Sequence, residues 1–580
     1  MANYYSNEKN AQVIISLLKQ HGINKIVASP GTTNMAFVGS IQQDTYFEVF
    51  SSVDERSGAY LACGWASETG EPVVLSCTGA TASRNYFPGL TEAFYRKLPI
   101  LAITSTQVVS KVGHHIAQII DRSSLPKDTA NLSVHLPLVK DDEDLWNCEI
   151  QANKAILELK RRGGGPVHIN LETGYSKQYE IKDLPVYRKI NRIFPTSHFP
   201  EIPKGKIGIF VGSHKKMSEK LTTTIDRFCE TNNAVVFCDH TSGYYGKHKV
   251  LYALIGGQFM SDKAETKTDL LIHIGEITGD YYSLGLAGKE VWRINEDGEI
   301  RDTFRKLTHV FEMPEQTFFE HYANSKQKGD NSYLQLCLIQ LDTIRSSIPE
   351  LPFSNVWLAS QMAHRIPESS VIHFGILNSL RSWNFYALPE KVTSYSNVGG
   401  FGIDGGVSTL IGASFADKNK LFFGVIGDLA FFYDMNVLGN RHVGNNLRLL
   451  LVNNGKGTEF RQFNHVASHF KEDADKFIAA AGHFGQKSPE LVKNYAQNLG
   501  FEYISASNKE EFEKVYERFL ISEITEKSIL FEVFTDSESE SKALEVIMSV
   551  EVDVSMRTKK IAREILGEKG VNVLKKIIKR

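Results

Sequence analysis

Residues 421–460, LFFGVIGDLAFFYDMNVLGNRHVGNNLRLLLVNNGKGTEF, constrain the fold more than any other stretch. Two short apolar runs, 421–426 and 447–452, are almost unbroken, which is the pattern of strands buried on both faces. Gly427-Asp428 follows the first run and Asn453-Asn454 follows the second. The interval has room for one helix, so the stretch is predicted to be a βαβ unit. In a parallel sheet both polar pairs then emerge at the same carboxyl edge, where α/β proteins bind ligands. One carboxylate and one amide oxygen with little other charge suit a hard cation. Mg²⁺ fits, because it keeps positions for water and substrate phosphate and needs few protein ligands. The blander reading makes Asp428 a helix cap and Asn453-Asn454 a turn. Asn445-Asn446 precedes its strand and so falls at the wrong edge.

The same alternation of apolar runs and helical stretches recurs along the chain. Strands are expected near 24–28, 47–51, 73–77, 98–104 and 167–171, then at 206–211, 234–237, 270–274 and 290–294, and again at 371–374 and 392–395. This argues for parallel sheets covered on both faces. With 580 residues, the expected fold class is α/β, with three doubly wound domains at 1–185, 200–345 and 352–540 and a helical extension at 541–580. A charged, proline-bearing stretch, 177–204, is read as a linker. A net charge of −2 gives no global field toward nucleic acid or membrane. The six cysteines are scattered without a C-x-x-C, which fits a reduced cytoplasmic protein without a zinc site. The N-terminus is polar and has no signal-peptide pattern, and no apolar run reaches membrane-spanning length.

Gly-Asp, a spacer of about 25 residues and Asn-Asn resemble the diphosphate-binding motif of the thiamine diphosphate-dependent enzymes, the decarboxylase and acetolactate synthase superfamily. By that resemblance Asp428 and Asn454 hold Mg²⁺, with the main-chain carbonyl of Lys456 as third ligand, and Gly427, Leu429 and Ala430 border the cofactor. Leu429 departs from the glycine common at that place. Further upstream, Ser29-Pro30-Gly31-Thr32, then Asp54-Glu55-Arg56-Ser57-Gly58-Ala59, then Thr78-Gly79-Ala80-Thr81 resemble in order the pyrimidine-binding domain. The resemblance makes Glu55 the carboxylate that hydrogen-bonds N1′ of the aminopyrimidine, and puts Pro30, Gly31, Thr32, Thr78 and Gly79 at the cofactor. His114-His115 resemble the His-His pair of 2-oxo acid decarboxylases, suited to proton shuttling or carboxylate binding. Gln118 lies in the same loop. Either histidine could equally be a surface or capping residue.

Asn397–Gly405, with Gly402-Ile403-Asp404-Gly405, resembles the G-I-D-G stretch of the menaquinone-pathway synthase branch. Ile403 is then the apolar wedge that bends the cofactor, with Gly402 beside it. Asn378 and Ser379 are expected to approach the diphosphate or substrate. Residues 458–470 are expected to cover the site, with Arg461, His465 and His469 as substrate contacts. The resemblance implies a thiamine diphosphate- and Mg²⁺-dependent enzyme whose cofactor ylid attacks a 2-oxo acid. CO₂ leaves, and protonation or addition to a second carbonyl follows. It also implies a homodimer or homotetramer.

The synthase branch carries substrate arginines where this chain has Thr33, Gln107 and Val398. That points to a smaller or less anionic substrate, unless Arg56, Arg84 or Arg381 compensates. The alternatives are a menaquinone-type synthase, or a catalytically silent assembly partner. In the middle domain there is no G-x-G-x-x-G fingerprint, so it is read as scaffold, and Cys238-Asp239-His240 as a strand-end turn. Residues 557–580 hold nine Lys or Arg against two Glu. This is expected to be a solvated basic helix, or else a docking or membrane-surface helix.

Overall fold

The computed structural model describes residues 4–259, 263, 265–323, 329–481 and 487–551. The basic C-terminal extension lies outside them. Nineteen strands are defined among the described residues. They are β1 Lys25–Ala28, β2 Glu48–Ser51, β3 Val73–Thr78, β4 Ile100–Thr106, β5 Leu132–Leu136, β6 Val167–Glu172, β7 Asn191–Ile193, β8 Ile207–Val211, β9 Ala234–Cys238, β10 Lys249–Leu251, β11 Thr268–Ile274, β12 Ala287–Asn295, β13 Leu307–Glu312, β14 Val371–Phe374, β15 Thr393–Ser396, β16 Phe422–Gly427, β17 Leu447–Asn453, β18 Glu502–Ala506 and β19 Ile529–Phe534. The chain divides into two compact units, 1–198 with 297–312, and 199–296 with 313–580.

In the first unit the sheet order is β2-β1-β3-β4-β6-β5, all parallel. Strand residues alternate between two cores. Ile26, Val74, Leu101, Ile103 and Ile169 pack on one side with Val13, Leu17, Phe37, Ala152 and Ile156. Val27, Val73, Leu75, Ile100 and Ala102 pack on the other with Ala59, Ala62, Ala66, Leu90 and Ala93. That second face is lined by alanines because its helices approach closely. A Cβ on Gly89 would stand 2.5 Å from the Ala59 Cβ.

The second unit holds two sheets. One runs β10-β9-β8-β11-β12 and the other β15-β14-β16-β17-β19-β18. Numbered from its own first strand, the latter has the same 2-1-3-4-6-5 order as the sheet of the first unit. In that order the chain reverses direction of travel between its first and third strands. The crevice at their carboxyl ends is the topological switch point, where such sheets take ligands.

The expected α/β class with parallel sheets is what the chain forms. The two apolar runs of the 421–460 stretch are β16 and β17, paired in parallel from Phe422↔Leu447 to Gly427↔Val452. A helix, Asp428–Asp434, lies between them. The reading of 177–204 as linker is incomplete, since it contains β7, which pairs with β13. Three half-buried residues carry no alternation from which a strand could be recognised. No helix among the described residues is long and apolar enough to cross a membrane.

Candidate active site

The second unit's switch point opens on a cavity of about 280 Å³. After β14 the chain contributes Gly375 to Ser379, and after β16 it contributes Gly427 to Ala430. After β17 come Asn454 and Lys456, and Ile403 enters from the glycine-rich segment. Asn378, Ser379, Ile403, Gly427, Asp428, Leu429, Ala430, Asn454 and Lys456 thus border one cavity, although they span 79 residues of sequence. Gly402 is exposed and is not in the wall.

Asp428 is the first residue of its helix and only 2% exposed. Its Oδ1 accepts from the Leu429 N–H at 2.7 Å and its Oδ2 from the Gly455 N–H at 2.6 Å. The second bond ties the end of β16 to the loop after β17. Burial outweighs these bonds and raises the Asp428 carboxyl to about 7, with the negative charge of Glu540 adding to the rise. Asn454 is also buried, and its Oδ1 faces the Lys456 N–H at 3.4 Å. Asn453 is not among the cavity's described lining residues and donates to Glu532 Oε1 at 2.7 Å.

A desolvated carboxylate, a neighbouring amide oxygen and a main-chain carbonyl are a donor set for Mg²⁺, whose charge offsets the burial of Asp428. The remaining wall is largely apolar: Ile376, Leu377, Ile403, Leu429, Val452 and Ile478. A ring system with a diphosphate tail fits this combination. Leu377 takes a positive φ of 61°, a backbone conformation rare for a side-chain-bearing residue, and so turns the chain from β14 into the cavity wall.

Glu540 escaped the sequence reading because the run Asp536–Glu540 looks like a solvated acidic surface. Asp536 caps the helix Ser537–Ile547, and Glu540 falls on its inner face with Leu544 and Ile547. The carboxylate accepts from the Asn355 N–H, the Thr535 hydroxyl and Asn378 Nδ2. It therefore fixes Asn378, with burial pushing the Glu540 carboxyl up. Glu459 was missed too. It holds Arg381 through two hydrogen bonds of 2.8 and 2.9 Å, which commits that guanidinium to the protein.

The segment after the β17 loop is tied down by Asp475, which pairs with Lys456 Nζ at 2.6 Å and Arg461 Nη1 at 3.2 Å. Arg461 is therefore already engaged. His465 accepts from the Ala467 N–H and caps the following 3₁₀ segment, while His469 is exposed.

In the first unit, the loops after β1 and β3 meet at its own switch point. A Cβ on Gly31 would lie 1.9 Å from Thr78 Cγ2, so only glycine allows this approach. A Cβ on Gly79 would stand 3.0 Å from the Ser105 carbonyl. Pro30 and Thr32 are exposed at this edge. Thr33 is buried and donates to the Ser105 carbonyl, and Val398 in the second unit is 2% exposed. Glu55 is the first residue of the helix Glu55–Thr69. Asp54 caps it, accepting from the Ser57 N–H and hydroxyl. The half-buried Glu55 carboxylate accepts from Asn85 Nδ2 at 3.4 Å. His114, His115 and Gln118 are exposed, and His115 and Gln118 have φ of 55° and 64°.

Two α/β units with ligand edges at their switch points, one carrying a buried carboxylate-amide pair beside an apolar cavity, define an enzyme that binds a diphosphate cofactor. Residues 8–125 match the family model of the thiamine pyrophosphate enzymes' N-terminal TPP-binding domain. The chain is 30% identical over 567 residues to the 2-succinyl-5-enolpyruvyl-6-hydroxy-3-cyclohexene-1-carboxylate synthase of Bacteroides fragilis, covering 93% of this chain and 98% of that protein. The synthase of the same name from Bacteroides thetaiotaomicron is also 30% identical over 566 residues, with the same coverage. That of Flavobacterium psychrophilum is 26% identical over 549 residues, covering 90% and 96%. The chain belongs to the thiamine pyrophosphate enzyme family.

Proposed function

We propose that this protein is a thiamine diphosphate- and Mg²⁺-dependent carboligase that decarboxylates a 2-oxo acid and joins the remainder to a second carbonyl compound. The observation that carries this reading is the single cavity bordered by Asp428, Asn454, Lys456 and Ile403. The relatives' shared name is that of a synthase, which supports a joined product over simple aldehyde release. Residues 1–185 serve as pyrimidine-binding domain, 200–345 as middle domain and 352–540 as diphosphate-binding domain, in a cytoplasmic protein.

When bound, thiamine diphosphate supplies a ring carbon that adds to the ketone and holds the electrons left by CO₂. Asp428, Asn454 and the Lys456 carbonyl would hold the metal. Glu55 would share a proton with the aminopyrimidine of the cofactor, and Ile403 would pack against the cofactor from the cavity wall. His114, His115 and Gln118 meet the substrate.

The product differs from the one that the relatives' name gives. Arginine pairs bidentately with carboxylates and stays charged. Thr33, Gln107 and Val398 offer no such fork, Thr33 is bonded to the Ser105 carbonyl, and Arg381 is held by Glu459. Each lost charged partner costs about 1.5–3 kcal/mol. A panel of 2-oxo acids with aldehyde acceptors, followed by CO₂ release and mass spectrometry, should show turnover with a small donor such as pyruvate. Turnover confined to 2-oxoglutarate with isochorismate, at kcat/KM of about 10⁴ M⁻¹s⁻¹ or more, would refute this substrate assignment.

A second copy completes the site. Near Glu55 in sequence the first unit exposes Phe50 at 58%, Val53 at 83% and Leu61 at 56%, apolar side chains suited to burial by another chain. Glu55 of one copy then serves the metal motif of its partner. Mixing inactive Glu55→Gln and Asp428→Ala chains should restore part of the activity. A fully active monomer by light scattering would rule this assembly out.

A further inference from the structure

We infer that the second unit carries a further ligand site, for an organic anion with an apolar body, between the edge strands β10 and β15. A cavity of about 440 Å³ lies there, within the range of small-molecule sites. It shares no described lining residue with the cofactor cavity. Its wall combines two chemistries. Leu251, Leu338, Leu341, Leu388 and Val392 make an apolar surface. Lys249 borders it beside Leu251 on β10, Arg345 from the helix Ser332–Ser346 that also carries Leu338 and Leu341, and Lys247 from just before β10, and among the described lining residues Glu390 is the one carboxylate.

The positive side chains meet little opposing charge from the protein. Arg345 touches Asp342 at 3.3 Å, but both are more than a third exposed, so the pair is weak. Lys249 instead lies over the Tyr245 ring, 5.2 Å from its centroid, and Lys216 approaches the same ring at 5.9 Å. The ring is held in place, since its hydroxyl accepts from the Ser394 N–H at 3.2 Å. Ser394 Oγ in turn donates to the His240 carbonyl at 2.6 Å. Lys249 thus lies against a fixed aromatic ring that borders the apolar hollow, with Lys216 near the same ring outside the described lining. Both flanking strands end their sheets, and an edge strand keeps one row of main-chain donors outside its ladder. A phosphate monoester or a carboxylate places its charge on the cations and its body against the leucines.

Calorimetric titration of the full chain tests this with phenyl phosphate, benzoate and inorganic phosphate. Phenyl phosphate or benzoate should bind saturably, at least tenfold tighter than inorganic phosphate, and the tighter of the two identifies the anionic group. The Lys249→Met/Arg345→Met double variant should weaken that binding at least tenfold. Its melting-temperature rise with thiamine diphosphate and Mg²⁺ should stay as in the parent, which also reports correct folding. Lys247→Met, at the exposed rim, should weaken binding severalfold and decides the matter if the double variant does not fold. No saturable heat with either organic anion, or equal affinity in the charge variants, overturns the site.

Discussion

Asp428→Ala abolishes the rise in melting temperature that thiamine diphosphate gives in the presence of Mg²⁺. A ligand at 100 times its Kd stabilises the native state by about 2.7 kcal/mol, and the variant is expected to lose all of it. The cofactor-free variant should melt close to the parent, because two effects oppose each other. Removing the carboxylate leaves the Leu429 and Gly455 N–H groups without their acceptor, a cost of about 1–3 kcal/mol each. It also removes a charge that burial disfavours. The folded carboxyl sits at about 7, above its ordinary 3.8. Its contribution to the cofactor-free fold is therefore complete below pH 3.8 and is lost as pH rises through about 7. An undiminished cofactor shift in the variant would mean that the metal lies elsewhere.

The same carboxyl gives cofactor loading a pH dependence of defined sign. The metal binds the ionised form, so loading competes with a proton. Affinity for Mg²⁺ with thiamine diphosphate should fall roughly tenfold per pH unit below about 7. It should level off above that value. Flat affinity between about pH 5.5 and 7.5 would show that Asp428 is not titrating at the metal.

The strands that frame both switch points could be read from the sequence because they are buried on both faces, and burial leaves unbroken apolar runs. The strand β18 could not, since Glu502, Tyr503 and Ile504 are half-buried and mix polar with apolar residues at the end of the sheet. At the site, Asp428 and Asn454 were legible because their flanking strands fix where they emerge. Ile403 was legible only through likeness to a family motif, as a glycine-rich turn has no periodicity of its own. Glu540 and Glu459 were not legible. Each looks like one more surface carboxylate until the helix face or ion-pair partner is known. Gly31 is the converse case. Its neighbours predict a turn, and the structure adds the reason, a contact with Thr78 that any side chain would block.

Glu55→Gln leaves cofactor binding nearly intact and slows deprotonation at the cofactor's reactive carbon by a factor of about 10²–10⁴, the range for a positioned acid–base group. The substitution is nearly isosteric, and the surroundings do not depend on the charge. Asp54 starts the helix through Ser57, and a Cβ on Gly58 would meet Ser52 at 3.2 Å, so the first turn is set by close packing. The amide oxygen that the substitution introduces can still accept from Asn85. On the proposed function, what disappears is the group that exchanges a proton with the aminopyrimidine. That loss corresponds to about 3–5 kcal/mol of barrier. The measurement is hydrogen exchange in deuterated water at the reactive carbon of bound thiamine diphosphate, quenched and followed by NMR. The thermal shift with cofactor and Mg²⁺ serves as the control for binding. Asn85→Ala, which removes only the neighbouring donor at 3.4 Å, should change exchange less than tenfold. Exchange in Glu55→Gln at the parent rate, with binding preserved, would assign the proton-sharing carboxylate to another residue.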